Sequence, residues 1–148
     1  MRRRLSQLPL CAAMLAGSCG SPGTPGTHTL PADEAAQYLT AYIAVVVADP
    51  PGDDLEPGGG EHVVVRNNWD HRADLGGWAI EDRDGNRLPI PFSVQIDPDA
   101  ELRFFTGNGE DTDADFFAGL DHEVLDDDGD TLRLLDSSDK EVAAMTYP

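Results

Sequence analysis

The stretch EHVVVRNNWDHRADLGGWAIED, residues 61–82, decides the fold: a short apolar strand, a polar loop and a Leu-Gly-Gly-Trp turn lead into a second strand. Side chains alternate faces along a strand, so Val63 and Val65 share one side. Leu75 and Trp78 are large apolar groups beside glycines that let the backbone turn tightly, and both read as core at one end of a sandwich. Working outward, Asp84-Gly85 is a hairpin signal that returns the chain as a strand over residues 86–92, which Pro89 and Pro91 demote to an edge. Asp97-Pro98-Asp99 turns into a strand over 102–106, with Leu102 and Phe104 facing one way and Arg103 and Phe105 the other. Gly107-Asn108-Gly109 opens a long acidic excursion, and 131–135 with 142–147 close the sheet as a hairpin.

Upstream, the pattern predicts a strand over 43–48 that Asp49-Pro50-Pro51-Gly52 stops, then an acidic, glycine-rich loop over 53–60. PADEAAQYLTAY, residues 31–42, places Ala35, Ala36, Leu39 and Tyr42 at helical spacing behind a proline and early acids, which predicts a short helix before the domain. Strands with turn signals at this spacing, and no internal repeat, read as one Greek-key sandwich of ~100 residues. At 148 residues and 40% apolar content the chain can build one core and not two.

Five pieces in order, IAVVVADPPGDD (43–54), EHVVVRN (61–67), ADLGGWAIED (73–82), FFTGNGEDT (104–112) and DDGDTLRLLDSSDKEVAAMTY (127–147), resemble the lamin-tail domain of nuclear lamins and of many secreted prokaryotic proteins. The resemblance covers residues 43–148 and implies an all-β, immunoglobulin-like sandwich with a binding or tethering role, since that family shares no catalytic residues. It also implies a link to DNA through nuclear relatives, against which the charge speaks. Beyond Cys19 the chain keeps 7 basic and all 28 acidic residues, a net charge of 7 − 28 = −21, and phosphate contacts need clustered Lys and Arg.

Residues 1–18 combine Arg2, Arg3 and Arg4 with a short apolar run over 8–15 and the small residues Ala16, Gly17 and Ser18, the pattern of a signal peptide. LAGSC, residues 15–19, resembles a bacterial lipoprotein box with its leucine one place early, while Ala16 and Ser18 also fit the small-x-small rule of ordinary secretion. Lipidation of Cys19 is the favoured expectation, because cleavage there leaves it the lone cysteine of the mature chain and a lone secreted thiol is a liability. GSPGTPGTHT, residues 20–29, then reads as a flexible tether. The expected organisation is signal peptide 1–18, anchor, tether and short helix 19–42, and sandwich 43–148.

Three chemistries are weighed. Asp111, Asp113 and Asp115, then Asp126, Asp128 and Asp130, are candidate calcium ligands, since calcium takes six to eight oxygens from such loops. Neither run keeps the EF-hand pattern: Phe116 and Thr131 stand where its glycine belongs, and His122 and Ser137 where its glutamate belongs. Scattered solvated acids are therefore the stronger reading, with Asp130 capping backbone donors at a turn. For catalysis, His62 alternates outward on its strand, and His122-Glu123 begins a zinc-protease signature that Asp126 breaks. Catalysis is not expected, nor a cofactor. The third candidate is a partner-binding loop at Asn68, Trp69, Asp70, His71 and Arg72, in which Trp69 and Arg72 have the composition of an interface anchor. Its competitor is a Trp69 folded back over the sandwich end. Phe116 and Phe117 are expected in the core.

The reading is an exported, lipid-anchored, non-enzymatic binding or tethering module at the cell surface, its partner a protein or another surface ligand. The alternatives are an acidic calcium-binding structural protein and an accessory partner of a secreted hydrolase.

Overall fold

Among the described residues, eleven strands and one helical turn follow one another: β1 (Thr27–Thr29), α1 (Ala32–Ala35), β2 (Ala41–Val47), β3 (His62–Asn67), β4 (Ala73–Asp74), β5 (Ala79–Glu81), β6 (Arg87–Pro89), β7 (Gln95–Ile96), β8 (Glu101–Phe105), β9 (Asp115–Phe117), β10 (Asp130–Leu135) and β11 (Glu141–Tyr147). They are taken from a computed structural model that describes residues 26–35 and 40–148. The expected signal peptide, Cys19 and the tether up to residue 25 lie outside the described residues.

Two sheets face each other. One runs β1-β2-β3-β8-β9 and the other β11-β10-β5-β6, with a small β4-β7 pair beside them. Strands β3 and β8 are neighbours although β5 and β6, between them in sequence, belong to the opposite sheet, so the chain crosses between layers as an immunoglobulin-like sandwich requires. Ile43, Val63, Val65, Leu102 and Phe104 from the first sheet meet Ile80, Leu132, Leu134, Ala143 and Met145 from the second in one core. Period-2 alternation is clearest in β10, where Leu132 and Leu134 are fully buried and Arg133 between them turns outward to Glu81. In β2 the alternation is interrupted by a bulge between Ile43 and Val45, which explains why Ala41 through Ala44 are all buried.

The expected strands β3, β10 and β11 stand where the sequence pattern puts them. The hairpin at Asp84-Gly85 joins β5 to β6, with Gly85 at φ +90°, a conformation side chains strain to adopt. β6 is the edge of its sheet, as its prolines require, but spans only Arg87–Pro89, because Pro91 offers no donor to prolong it. Leu102 and Phe104 join the core while Arg103 and Phe105 take the other face, as expected.

Four expectations are corrected. Thr27–Thr29 is not tether: it pairs with Val45–Val47 as the edge strand β1, its backbone groups satisfied by β2 where its side chains had nothing to bury. The helix over 31–42 does not run through, since α1 ends at Ala35, residues 36–39 are not described, and Ala41 and Tyr42 belong to β2, paired with Asn67 and Arg66. Trp78 is half-buried against the core, because it sits in the turn before β5 and not within the strand. Phe116 and Phe117 divide: Phe116 lies on Phe104 against the core, whereas Phe117 stacks on Phe105 at 4.8 Å on the outer face. They do so because successive side chains of a strand point to opposite sides, and the register of β9 on β8 sets Phe116 beside Phe104 and Phe117 beside Phe105. His62 extends that outer ladder at 4.6 Å from Phe105, and Gly109 passes so close to Phe117 that a methyl group there would collide with the ring.

Candidate functional site

The loops that carry every candidate residue are fastened at the two ends of β3, each by one fully buried polar side chain. Glu61, just before the strand, and Asn67, at its end, are both 0% exposed. A buried polar group is costly unless its hydrogen-bonding capacity is met, so each gathers partners from distant loops.

At the Asn67 end, the side-chain amide donates to the carbonyls of His71 (2.8 Å), Ile96 (3.1 Å) and Asp97 (3.2 Å). Its Oδ1 accepts the Trp69 N–H at 2.9 Å. Residues 68–72 are thereby bound to the turn that precedes β8. Trp69 is half-buried, packed on the core and stacked on the His71 ring at 4.9 Å and 11°. Arg72 Nε donates to Asp97 Oδ1 at 2.6 Å. The structure thus brings Trp69, His71 and Arg72 together on one loop, with Trp69 folded back as packing and His71 and Arg72 presented above it, their side chains 65% and 61% exposed. His71 Nδ1 lies 2.9 Å from Asp70 Oδ1, and that contact holds the Asp70 carboxyl below its usual range.

At the opposite end, Glu61 holds two loops. Its N–H donates to the Asp54 carbonyl at 2.6 Å, and its own carbonyl accepts the Thr106 N–H at 3.3 Å. Its carboxylate accepts the Val124 N–H at 2.7 Å and the Leu125 N–H at 3.3 Å. Burial pushes the Glu61 carboxyl above its ordinary value, outweighing the hydrogen bonds that favour the ionised form. Around it, Glu123, Asp49 and Asp53 are the like charges acting on Asp54, and Asp54, Asp49, Asp126 and Asp128 those acting on Asp127. Asp54 and Asp127 are likewise pushed up, first by desolvation and then by these like charges. Tyr147 Oη is near the Asp126 backbone and Thr106 Oγ1 near Glu61, both buried and neither in hydrogen-bonding geometry. Neither Glu61 nor Asn67 stood out in the sequence; a polar residue at each boundary of an apolar strand was the only available signal.

The six candidate calcium ligands separate into two groups. Asp115 is engaged by Arg103 at 2.6 and 2.8 Å, and Asp111 accepts the Phe117 N–H at 2.9 Å. Asp126, Asp128 and Asp130 line a cleft of about 370 Å³ with Asp82, Asp84 and Glu123. There Asp126 accepts the Asp128 N–H at 2.9 Å, while Asp130 accepts the N–H groups of Thr131 at 2.6 Å and Arg83 at 3.3 Å, the backbone capping expected of it. Among the described residues, no three His, Cys, Asp or Glu side chains form a group that could hold a metal ion. The histidines are dispersed: His28 lies tilted against the Tyr147 ring at 5.0 Å, His62 Nδ1 donates to the Gly60 carbonyl at 2.8 Å, and His122 pairs with Asp121 at 3.1 Å. Among the same residues no helix is long and apolar enough to cross a membrane.

A family model for the lamin tail domain matches residues 34–148, the whole sandwich except β1 and the start of α1. No curated protein matches the chain.

Proposed function

The chain belongs to the lamin tail domain family, a family of immunoglobulin-like binding and structural modules, and on that footing we propose that it works outside the cell as a lipid-anchored module that binds a surface partner and catalyses nothing. The observation that carries the reading is the loop at the Asn67 end. Its backbone is pre-ordered by the Asn67 side chain, which donates to the His71 carbonyl, accepts the Trp69 N–H and is itself held to the carbonyls of Ile96 and Asp97, so presenting His71 and Arg72 to a partner costs little further ordering entropy. Trp69 underneath serves as the packed base and not as the contact. The arginine-rich signal sequence and Cys19 supply the route and the anchor, and residues 20–25 would carry the sandwich clear of the lipid. The net charge of −21 directs the search toward protein or other surface ligands and away from nucleic acid and anionic lipid.

Intact mass of the mature protein from its native host, with detergent partitioning, tests the anchoring. A diacylglycerol-modified Cys19 in the detergent phase supports it; an unmodified, water-soluble Cys19 form would leave a free secreted module. Surface crosslinking on intact cells tests the loop: the double substitution of His71→Ala with Arg72→Ala should remove the partner adduct while leaving the sandwich folded.

A further inference from the structure

Phe92 is the one large apolar side chain exposed among the described residues, at 88%. A solitary apolar residue on a surface is ordinary, but this one is held in place. Pro91 fixes its own φ just ahead of it, and the Val94 N–H donates to the Pro91 carbonyl at 3.1 Å. The Leu75 and Gly77 N–H groups donate to the carbonyls of Val94 and Ile90 at 3.0 and 3.2 Å, so the Leu-Gly-Gly-Trp turn is bonded to the chain on both sides of Phe92. Two glycines make room for that contact. A methyl group on Gly76 would stand 2.4 Å from the Phe92 carbonyl oxygen, and one on Gly77, at φ +77°, would stand 2.7 Å from the ring. The ring therefore rests on the Gly77 backbone while most of it meets solvent, and burying it against a partner costs little further ordering.

The β4–β7 pair, Ala73 with Ile96 and Asp74 with Gln95, joins this turn to the loop of His71 and Arg72, so both stand at the Asn67 end of the sandwich. The chain enters at the other end, where the Gly26 carbonyl accepts the Ala48 N–H at 2.9 Å beside Asp49. The charge exposed around Phe92's end is negative: the side chains of Asp70, Asp97 and Asp99 are 99%, 62% and 81% exposed, and Asp74 is exposed as well. The arginines there are spoken for, Arg66 by Glu101 at 3.0 Å and Arg72 by Asp97 at 2.6 Å. Such a rim repels a second copy of this acidic chain and an anionic lipid surface, and suits a cationic counterpart. We propose that Phe92 is the apolar anchor of an interface at this end, and that its partner is a protein presenting an apolar pocket rimmed by lysine or arginine, met on the side away from the chain's entry. The proposal rests on the reading that this end binds a partner, and adds the side chain that inserts and the chemistry that receives it. The buried ring supplies affinity, and the carboxylates around it set orientation.

The test measures binding of three labelled peptides to the mature chain: an amphipathic lysine–leucine helix, its glutamate–leucine counterpart, and a lysine–serine peptide that keeps the charge without the apolar face. The lysine–leucine peptide should bind, the glutamate–leucine one should not, and the lysine–serine one should bind at least about tenfold more weakly. Phe92→Ser should weaken the lysine–leucine complex by about tenfold or more, and Phe92→Trp should preserve it. Neither change should move the melting temperature, since the exposed ring supports no core. Absence of lysine–leucine binding, equal binding of the lysine–serine peptide, or wild-type binding by Phe92→Ser would overturn the proposal. So would a dimer that Phe92→Ser dissolves, or Phe92-dependent binding of the Cys19→Ser chain to phosphatidylcholine vesicles, which would assign the ring to a second copy or to lipid. The double substitution His71→Ala with Arg72→Ala separates the two readings. Loss of binding there with Phe92→Ser unaffected would sink the anchor and keep the loop, whereas the reverse pattern would keep the anchor and sink the loop.

Discussion

The two ends of β3 solve one problem with different chemistry. Asn67 closes one end with a neutral amide that uses both its donors and its acceptor, and Glu61 closes the other with a carboxylate that only accepts. The amide has no charge to lose, so its own hydrogen bonds do not depend on pH and it is suited to presenting a fixed surface. The carboxylate sits fully buried, and burial raises its proton affinity against the hydrogen bonds that favour its ionised form. A neutral tie and an ionisable one thus stand at opposite ends of the same six-residue strand.

Breaking the amide end should produce the largest effect. Asn67→Ala strands the carbonyls of Ile96, Asp97 and His71 and the N–H of Trp69, and is expected to cost about 3 kcal/mol, read as a lower midpoint in urea unfolding. Trp69→Ala comes next at about 2 kcal/mol, because the ring is half-buried on the core and its removal leaves a partial cavity. A loss of that size places Trp69 in packing, whereas an unchanged midpoint would return it to the role of exposed anchor. Glu61→Gln should cost about 1 kcal/mol at neutral pH: one N–H acceptor is exchanged for an amide donor, and relief of repulsion from neighbouring acids offsets part of that loss. Arg72→Ala should change stability by less than about 0.5 kcal/mol, since its pair with Asp97 is exposed on both sides. Smallest of all is the response to calcium. Millimolar calcium should move the melting temperature no further than ionic strength does with magnesium, because no group of three candidate ligands could hold the ion among the described residues.

These effects also show where the sequence was informative. The apolar runs Val63-Val64-Val65 and Leu132-x-Leu134-Leu135 carry their own period, and their strands are found where that period puts them. β1 and β9 carry no such signal: Thr27-His28-Thr29 and Asp115-Phe116-Phe117 become strands only because β2 and β8 offer them free edges. The loop of Trp69, His71 and Arg72 was visible by composition, but not the division of labour within it, which depends on Asn67 reaching carbonyls 29 and 30 residues away. Glu61 was hidden for the same reason, since its partners lie 63 and 64 residues downstream. Conversely, the aspartate runs drew attention by density alone, and the fold distributes them among separate local hydrogen bonds.

Thermal unfolding of the wild type, Asn67→Ala and Glu61→Gln between pH 4.5 and 7.5 tests the contrast most directly. The sign follows from the direction of the shifts. Glu61 has its native proton affinity raised above the ordinary 4.5, and Asp54 and Asp127 theirs above 3.8. Their stabilising contribution is therefore complete below those ordinary values and is lost as pH rises through the native ones. Wild type and Asn67→Ala should both lose stability from mild acid toward neutrality, along parallel curves set apart by a constant offset, and Glu61→Gln should follow a shallower curve. A Glu61→Gln curve parallel to wild type, or an Asn67→Ala curve of altered slope, would contradict the assignment of pH sensitivity to one end of the strand and not the other.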